Sequence, residues 1–547
     1  MRDLIKGQFS IWALLAAGSL FVLALVTQPL YADVDSYLVA TVVNGTFGTG
    51  NGCQYTHVLL NGVLSFLSKC LPQADVFSFL SRIFIPLSFY CVFITVSQKT
   101  KDTVTAGAVF TLFLFLSVCI SVFSGNYGIQ AICYTGTGIL LLLSDQDHPI
   151  LSAMGIIYLA MGCMWRLWVS LLFLPFIALE VLADLWERPR HFYGSIRKAA
   201  IPFTAVAVLF LVQFAAQMQE PLKSSLEFDK QRIRLVDYGA KSWPEVQEEA
   251  EAAGISHAEY AMARQWLLLD TERFTTEKLK TIADIGASTD YPLTPSGLFA
   301  ACRVLSTWFV GESGFNYVWF AGIILVVFLM MLLAPSWIRR LQAALILLGG
   351  QLIIFIFLVI GRSPMRLIHS VYLVQSFALI IESVWMQKNR DVFRKGLILI
   401  CILFGASSVF GIGKSGIHVP QLAFNARVGA DTSEIRMPEE DAVIIWDYFG
   451  LDFEHRLMDQ GKLPTLDILS HNIPAGDWIY GQPYFDAFLS EHNLSNPYEG
   501  LFSRGDLYYA VRDGEALELF AELTPGFQAE MMGNVAGIPV YRFLLKE

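Results

Sequence analysis

The stretch FSIWALLAAGSLFVLALVTQPLYADVDSY, residues 9–37, decides the fold. Its first part, 9–30, carries no charge and is long enough to cross the hydrocarbon core of a bilayer. Arg2 and Lys6 precede it, so the positive-inside bias places the N-terminus in the cytoplasm. The run YADVDSY then emerges on the far side, with Asp33 and Asp35 at the membrane–water interface.

Working outward, the same pattern recurs. Apolar runs of membrane length fall near 76–98, 104–123, 129–143, 150–165, 167–184, 201–218, 313–334, 341–360, 368–386 and 396–413. With 9–30 these make about eleven spans. Lys99/Lys101, Arg188/Arg190/Arg197/Lys198, Arg339/Arg340 and Lys388/Arg390/Arg394/Lys395 fall on the connections that alternation assigns to the cytoplasm. A mean hydropathy of +0.51, with 54% hydrophobic and 16% charged residues, excludes an ordinary soluble globular protein. Alternation puts two long polar segments outside, 219–300 and 414–547. Both are acidic in a chain of net charge −10, so the remainder is cationic and nothing points to nucleic acid.

The expected fold class is therefore an α-helical polytopic membrane protein. Its membrane domain, 1–413, has a first outer loop at 31–75 and an outer helical insertion at 219–300. An extracytoplasmic α/β domain at 414–547 follows. In the insertion, Ser242 with Glu245 forms a capping pattern and Pro244 stands in the first turn. In the C-terminal domain, strands are expected at 442–448, 477–482, 506–512 and 538–543, with the aromatics read as core. Cys53 and Cys70 share the outer loop and read as free thiols, a disulfide being the alternative. No metal-ligand spacing occurs.

In the first outer loop, Asp35 is placed to cap a helix over 36–44, which the glycine-rich 45–52 ends. That segment is not a phosphate loop, because no Lys-Ser/Thr follows it. A second helix, about 55–69, sets His57, Asn61, Ser65 and Lys69 on one polar stripe. Two helices lying on the membrane surface suit this pattern. A solvent-facing cap and a wetted stripe are the plain alternatives.

A first span, an acidic pair beyond it, two surface helices, further spans and an outer C-terminal domain together resemble the GT-C glycosyltransferases. The segment DSYLVATVVNGTFGTGNGCQYTHVLLNGVLSFLSKCLP, 35–72, is similar to the corresponding stretch of bacterial members. The resemblance implies transfer of a sugar from a polyprenyl-phosphate-linked donor to an extracytoplasmic glycan or lipid acceptor, in the plasma membrane and at the cell envelope. It implies that a loop carboxylate serves as base or orients the acceptor. That role maps onto Asp35 with Asp33 beside it; Val34 splits the pair, so either aspartate fits. No cofactor is assigned, and a divalent metal is compatible with the chemistry.

A lipid-phosphate donor leaves as an anion and calls for fixed positive charge on the same side. The run GRSPMRLIHS at 361–370 offers Ser363 as N-cap, Pro364 at the first helical position, and Arg362 and Arg366 flanking a helix N-terminus. Arg166 interrupts a long apolar stretch, and an intramembrane arginine is a functional candidate by default. Arg82 is a weaker one, able to snorkel to headgroups. Tyr127 and Gln130, on a short outer connection, join His57 and Asn61 as candidates to line the substrate. Glu180, Asp184 and Glu382 lie toward the cytoplasm and read as structural. A polymerase or ligase of lipid-linked glycans has the same broad features. A transporter or flippase would show mid-membrane charges and internal repeats, and neither is evident.

Overall fold

The structure is a computed structural model. It describes residues 18, 34–47, 53–71, 75–119, 126–144, 149–189, 192–237, 239–287, 294–310, 314–360, 365–384, 390–415, 442–447, 470–476, 478–511, 514–535 and 538–546. The expected first span, Asp33 and Arg362 lie outside the described residues.

The chain is mostly helical. Two short helices, α1 (Val34–Val43) and α2 (Val58–Cys70), precede a bundle of α3 (Val76–Thr100), α4 (Thr103–Cys119), α5 (Tyr127–Leu143), α6 (Pro149–Trp165), α7 (Leu167–Glu187) and α8 (Phe192–Gln217). The insertion supplies α9 (Leu222–Val236), α10 (Trp243–Ala252), α11 (His257–Arg264) and α12 (Thr276–Gly286). The bundle resumes with α13 (Pro295–Val310), α14 (Gly314–Leu333), α15 (Trp337–Val359), α16 (Met365–Ser383) and α17 (Arg390–Ser415). A helix stands at every described apolar run that the sequence marked. Among the described residues four stretches are long and apolar enough to cross a membrane: Val76–Thr100, Leu167–Glu187, Ala199–Gln217 and Trp337–Val359. Leu211, Leu348 and Ile402 project outward from the bundle, an apolar rim that lipid would cover.

α5 is buried all round from Tyr127 to Leu141, which makes it the axis of the bundle. It meets α6 at backbone distance: a side chain at Gly162 would run into Thr135, so only glycine lets the two helices touch. The opposite ends of the bundle differ in chemistry. At one end Arg339, fully buried, donates to Glu180 at 2.9 Å, Glu382 at 3.0 Å and Glu187 at 3.0 Å. α7 carries Glu180 and Glu187 toward that end and begins next to Arg166. At the ~1.5 Å rise per residue of a helix its two ends stand about 30 Å apart. The structural reading of Glu180, Asp184 and Glu382 fits this closed ion cluster.

The C-terminal domain carries a five-stranded sheet in the order β2-β1-β3-β5-β4, from β1 (Val443–Trp446), β2 (Asn472–Pro474), β3 (Leu507–Ala510), β4 (Phe527–Val535) and β5 (Ile538–Leu545). β1 pairs parallel with β2 and β3, and β5 pairs antiparallel with β3 and β4. Three of the four expected strands form. The run 477–482 does not: its described part turns at Gly481, where φ is +72°, and leads into helix α18 (Pro483–Glu491). Trp478, Ile479 and Tyr480 are all buried, and consecutive burial suited a turn wedged between modules as well as a core strand. The neighbouring strand is Asn472–Pro474, and Phe527–Val535, half polar, escaped notice. The aromatics Tyr509, Phe520, Phe527 and Phe543 pack on one another as a core.

The insertion and this domain interlock. Leu268 N–H donates to Ala475 O at 3.0 Å, Thr271 Oγ1 to Ser495 O at 2.7 Å and Asn496 Nδ2 to Asp270 Oδ1 at 3.2 Å. Gly476 lies so close to the Trp266 carbonyl that no side chain fits there. The capping box at Ser242 and Glu245 is present, and Ser256 with Glu259 forms a second.

Candidate functional site

The site is built where α1 and the segment leading into α2 meet the N-terminal end of α5. α1 begins at Val34, two residues earlier than expected, so Asp35 lies inside its first turn instead of capping it. Residues Ser36–Val43 are all buried, so α1 is an internal helix and does not lie on a surface. Ser36 Oγ accepts from Tyr127 N–H at 3.4 Å, which joins this turn to the start of α5.

α6 and α7 meet at Arg166, whose backbone is extended (φ −159°, ψ 96°) between the two helices. The junction is braced: Trp165 stacks on Phe77 at 4.4 Å and donates to Gln130 Oε1 at 3.2 Å, and His57 N–H donates to Met164 O at 2.9 Å. The Arg166 guanidinium lies over the Tyr127 ring at 4.4 Å from its centroid. No carboxylate pairs with it among the described residues. Arg339 and Arg232, both buried, are each matched by carboxylates, so Arg166 stands apart.

Tyr55 closes the site on the side of the insertion and the C-terminal domain. Its hydroxyl donates to Asp229 Oδ2 at 3.0 Å and accepts from Arg232 Nη2 at 3.3 Å, while Arg232 clamps Asp229 Oδ1 at 2.8 and 2.6 Å. The Tyr55 ring meets Trp478 edge-on at 4.8 Å, and Arg232 lies over Trp266 at 4.9 Å. Burial first, then the charge of Asp229, pushes the Tyr55 phenol well above its usual pKa. Tyr127 and Asp35 add to this, which puts the Asp35 carboxylate within electrostatic reach of that hydroxyl. Asp35, Tyr55, Tyr127 and Arg166 thus form one neighbourhood, walled by the insertion and the C-terminal domain.

The other sequence candidates fall elsewhere. His57 is 1% exposed and caps α2: Nδ1 accepts from Leu59 N–H at 3.1 Å, and Nε2–H donates to Leu209 O at 2.9 Å. Burial lowers its pKa, so the ring is neutral. Asn61 braces the loop through Cys53 O at 2.8 Å and Thr56. Gln130 is an internal brace, also accepting from Ser81 Oγ at 3.0 Å. Three of the four members of the polar stripe of α2 are not wetted, and Lys69 at its end is exposed. His57, Asn61 and Ser65 face the protein while Leu59, Val63 and Phe66 are exposed, because the loop's buried carbonyls and hydroxyls need partners and lipid does not. Cys53 is buried and Cys70 exposed, both free thiols.

Arg82 is half-buried in the second turn of α3, beside Ser81. Arg366 stands in the first turn of α16, whose far end brings Glu382 to Arg339; its own end is therefore that of Arg166. Its side chain lies outside the described residues. Among the described residues no group of three or more His, Cys, Asp or Glu is placed to hold a metal ion. Sequence reasoning missed Tyr55, Asp229 and Arg232. An Asp–Arg pair three apart on a polar helix is too common to single out.

No family model matches the chain, and no curated protein matches it. Two solved structures are similar to it, both of ArnT from Cupriavidus metallidurans. The apo state aligns with a TM-score of 0.39 and the form bound to undecaprenyl phosphate with 0.37. Each is 9% identical and covers 97% of both chains. The superposition is loose, and the roles of individual residues rest on the contacts above.

Proposed function

We propose that this chain is an integral membrane glycosyltransferase that moves a sugar from a polyprenyl-phosphate-linked donor to an extracytoplasmic glycan or lipid acceptor. One observation carries the reading. Arg166 is a half-buried guanidinium without a carboxylate partner among the described residues, held over Tyr127 at the end of the bundle where Asp35 stands. A cation so placed is costly in the membrane unless an anion visits it, and a lipid phosphate is such an anion.

The chemistry is a single displacement. The acceptor oxygen attacks the anomeric carbon and gives its proton to the carboxylate of Asp35, or of Asp33 if that residue is the base. The bond from the anomeric carbon to the phosphate oxygen breaks, and the electron pair leaves on the phosphate. Arg166 holds that charge, with Arg366, Arg362 and the N-terminus of α16 as further donors and Arg82 as an outlying one. The eleven-span topology, with both polar modules outside, belongs to this reading.

The test uses purified protein in lipid nanodiscs with a panel of labelled polyprenyl-phosphate sugars and lipid extract as acceptor. Asp35→Asn should abolish transfer while donor binding persists, and Arg166→Ala should weaken donor binding. Asp33→Asn, run beside them, distinguishes the two aspartates. Transfer that survives both aspartate substitutions would overturn the mechanism.

A further inference from the structure

On the far side of the Tyr55 wall, the insertion and the C-terminal domain enclose an open cleft of about 380 Å³. Its floor is apolar: Phe228 precedes Asp229 in sequence, and Tyr480 lies two residues from Trp478, so the cleft backs directly onto the residues that close the candidate site. Its rim is made of hydroxyls and carboxylates. Thr271, Thr275, Thr276 and Glu277 come from the insertion, and Asp486, Ser490 and Ser495 from the domain. Among the described residues no lysine or arginine lines it. The walls are fixed by the bonds between modules already described, so the cleft is formed before any ligand arrives.

Most of the wall's hydrogen-bonding capacity is turned inward. Thr271 donates to Ser495 O, and the Ser490 hydroxyl donates to the Asp486 carbonyl. The Asp486 and Glu277 carboxylates are different: among the described residues neither receives a hydrogen bond or an ion pair. Asp486 keeps solvent access, yet the cleft walls shield it enough to push its pKa up to about 6. Two acceptor-only groups lining one cleft among hydroxyls, with no cation among its described lining residues, suit a ligand rich in hydroxyl donors. Paired sugar hydroxyls reach both oxygens of a carboxylate, while an anionic ligand would meet only repulsion.

We propose that this cleft binds a neutral, hydroxyl-rich glycan segment, the part of the acceptor that extends beyond the reacting sugar. The role as acceptor rests on the glycosyltransferase reading; the binding does not. A panel of immobilised neutral and uronic-acid oligosaccharides would be probed with the full chain in nanodiscs, as wild type and as Asp486→Asn, Glu277→Gln and the double variant. Neutral members should bind and acidic ones should not. The single variants should lose about ten-fold in affinity and the double variant should bind none, with no fall in melting temperature. Binding that ignores both substitutions, binding of acidic members as tight as neutral ones, or no neutral member bound would each overturn the proposal. Asp35→Asn should bind the panel like wild type. Loss of transfer there with binding kept separates the two claims, and absence of transfer in the wild type would sink the enzyme reading while leaving the cleft standing.

Discussion

Tyr55→Phe removes one oxygen atom from the junction between the loop that precedes α2 and the two polar modules. That hydroxyl donates to Asp229 at 3.0 Å, and Asp229 is 4% exposed. A hydrogen bond to a buried charged acceptor contributes about 1.5–3 kcal/mol net. The ring stays in its edge-on contact with Trp478, and Arg232 still donates twice to Asp229, so no carboxylate is orphaned and no cavity opens. The loss should therefore fall within that range, roughly ten- to hundred-fold in the equilibrium that holds the loop against the modules. Hydrogen exchange in nanodiscs reads it directly: residues 53–61 and 228–236 should exchange faster together while the bundle interior is unchanged. Transfer should slow, because the same loop carries Asp35. A cycle with Asp229→Asn should show coupling of about 0.5–3 kcal/mol. Unchanged exchange in both segments, or two purely additive effects, would refute the idea that this hydrogen bond couples loop to modules.

Other outcomes follow from the same contacts. Arg339→Met leaves Glu180, Glu187 and Glu382 facing one another without their cation. It should cost about 3–5 kcal/mol, seen as early melting in nanodiscs and partly restored by adding Glu382→Gln. Gly162→Leu drives a side chain into Thr135 and should destabilise by at least about 1–3 kcal/mol, read as loss of monodisperse protein on size exclusion. Burial holds the Asp486 pKa at about 6, above the ordinary 3.8 of an aspartate, so the folded state binds its proton more tightly than the unfolded one. Charging it therefore lowers stability as pH rises through about 6, and Asp486→Asn should stabilise the protein above that pH and change little below 3.8. A melting-temperature difference between the two proteins that is flat with pH would contradict this.

The apolar runs became helices because length, apolarity and the absence of charge are local properties, readable one segment at a time. The capping box at Ser242 and Glu245 was legible for the same reason. The grouping of Asp35 and Arg166 at one end was also within reach, since alternation of basic connections orders the helix ends without any knowledge of packing. What failed were judgements about faces. The stripe His57, Asn61, Ser65 has the same spacing whether it meets water or protein, and only the neighbours Leu209, Cys53 and Thr56 turn it inward. Likewise 477–482 has the composition of a strand, but its described part, 478–482, is spent in a turn because Phe228 and Tyr55 wait for it from other segments.

By itself the sequence determined the apolar helical segments and the polar stretches that interrupt them. Tertiary structure alone decided that Tyr55, Asp229, Arg232 and Trp478 form one wall, and that the modules enclose a cleft behind it. The physical reason is distance along the chain. Hydrophobic periodicity and charge bias act over a helix or a loop, whereas Tyr55 and Asp229 are 174 residues apart and meet only once the whole bundle has packed.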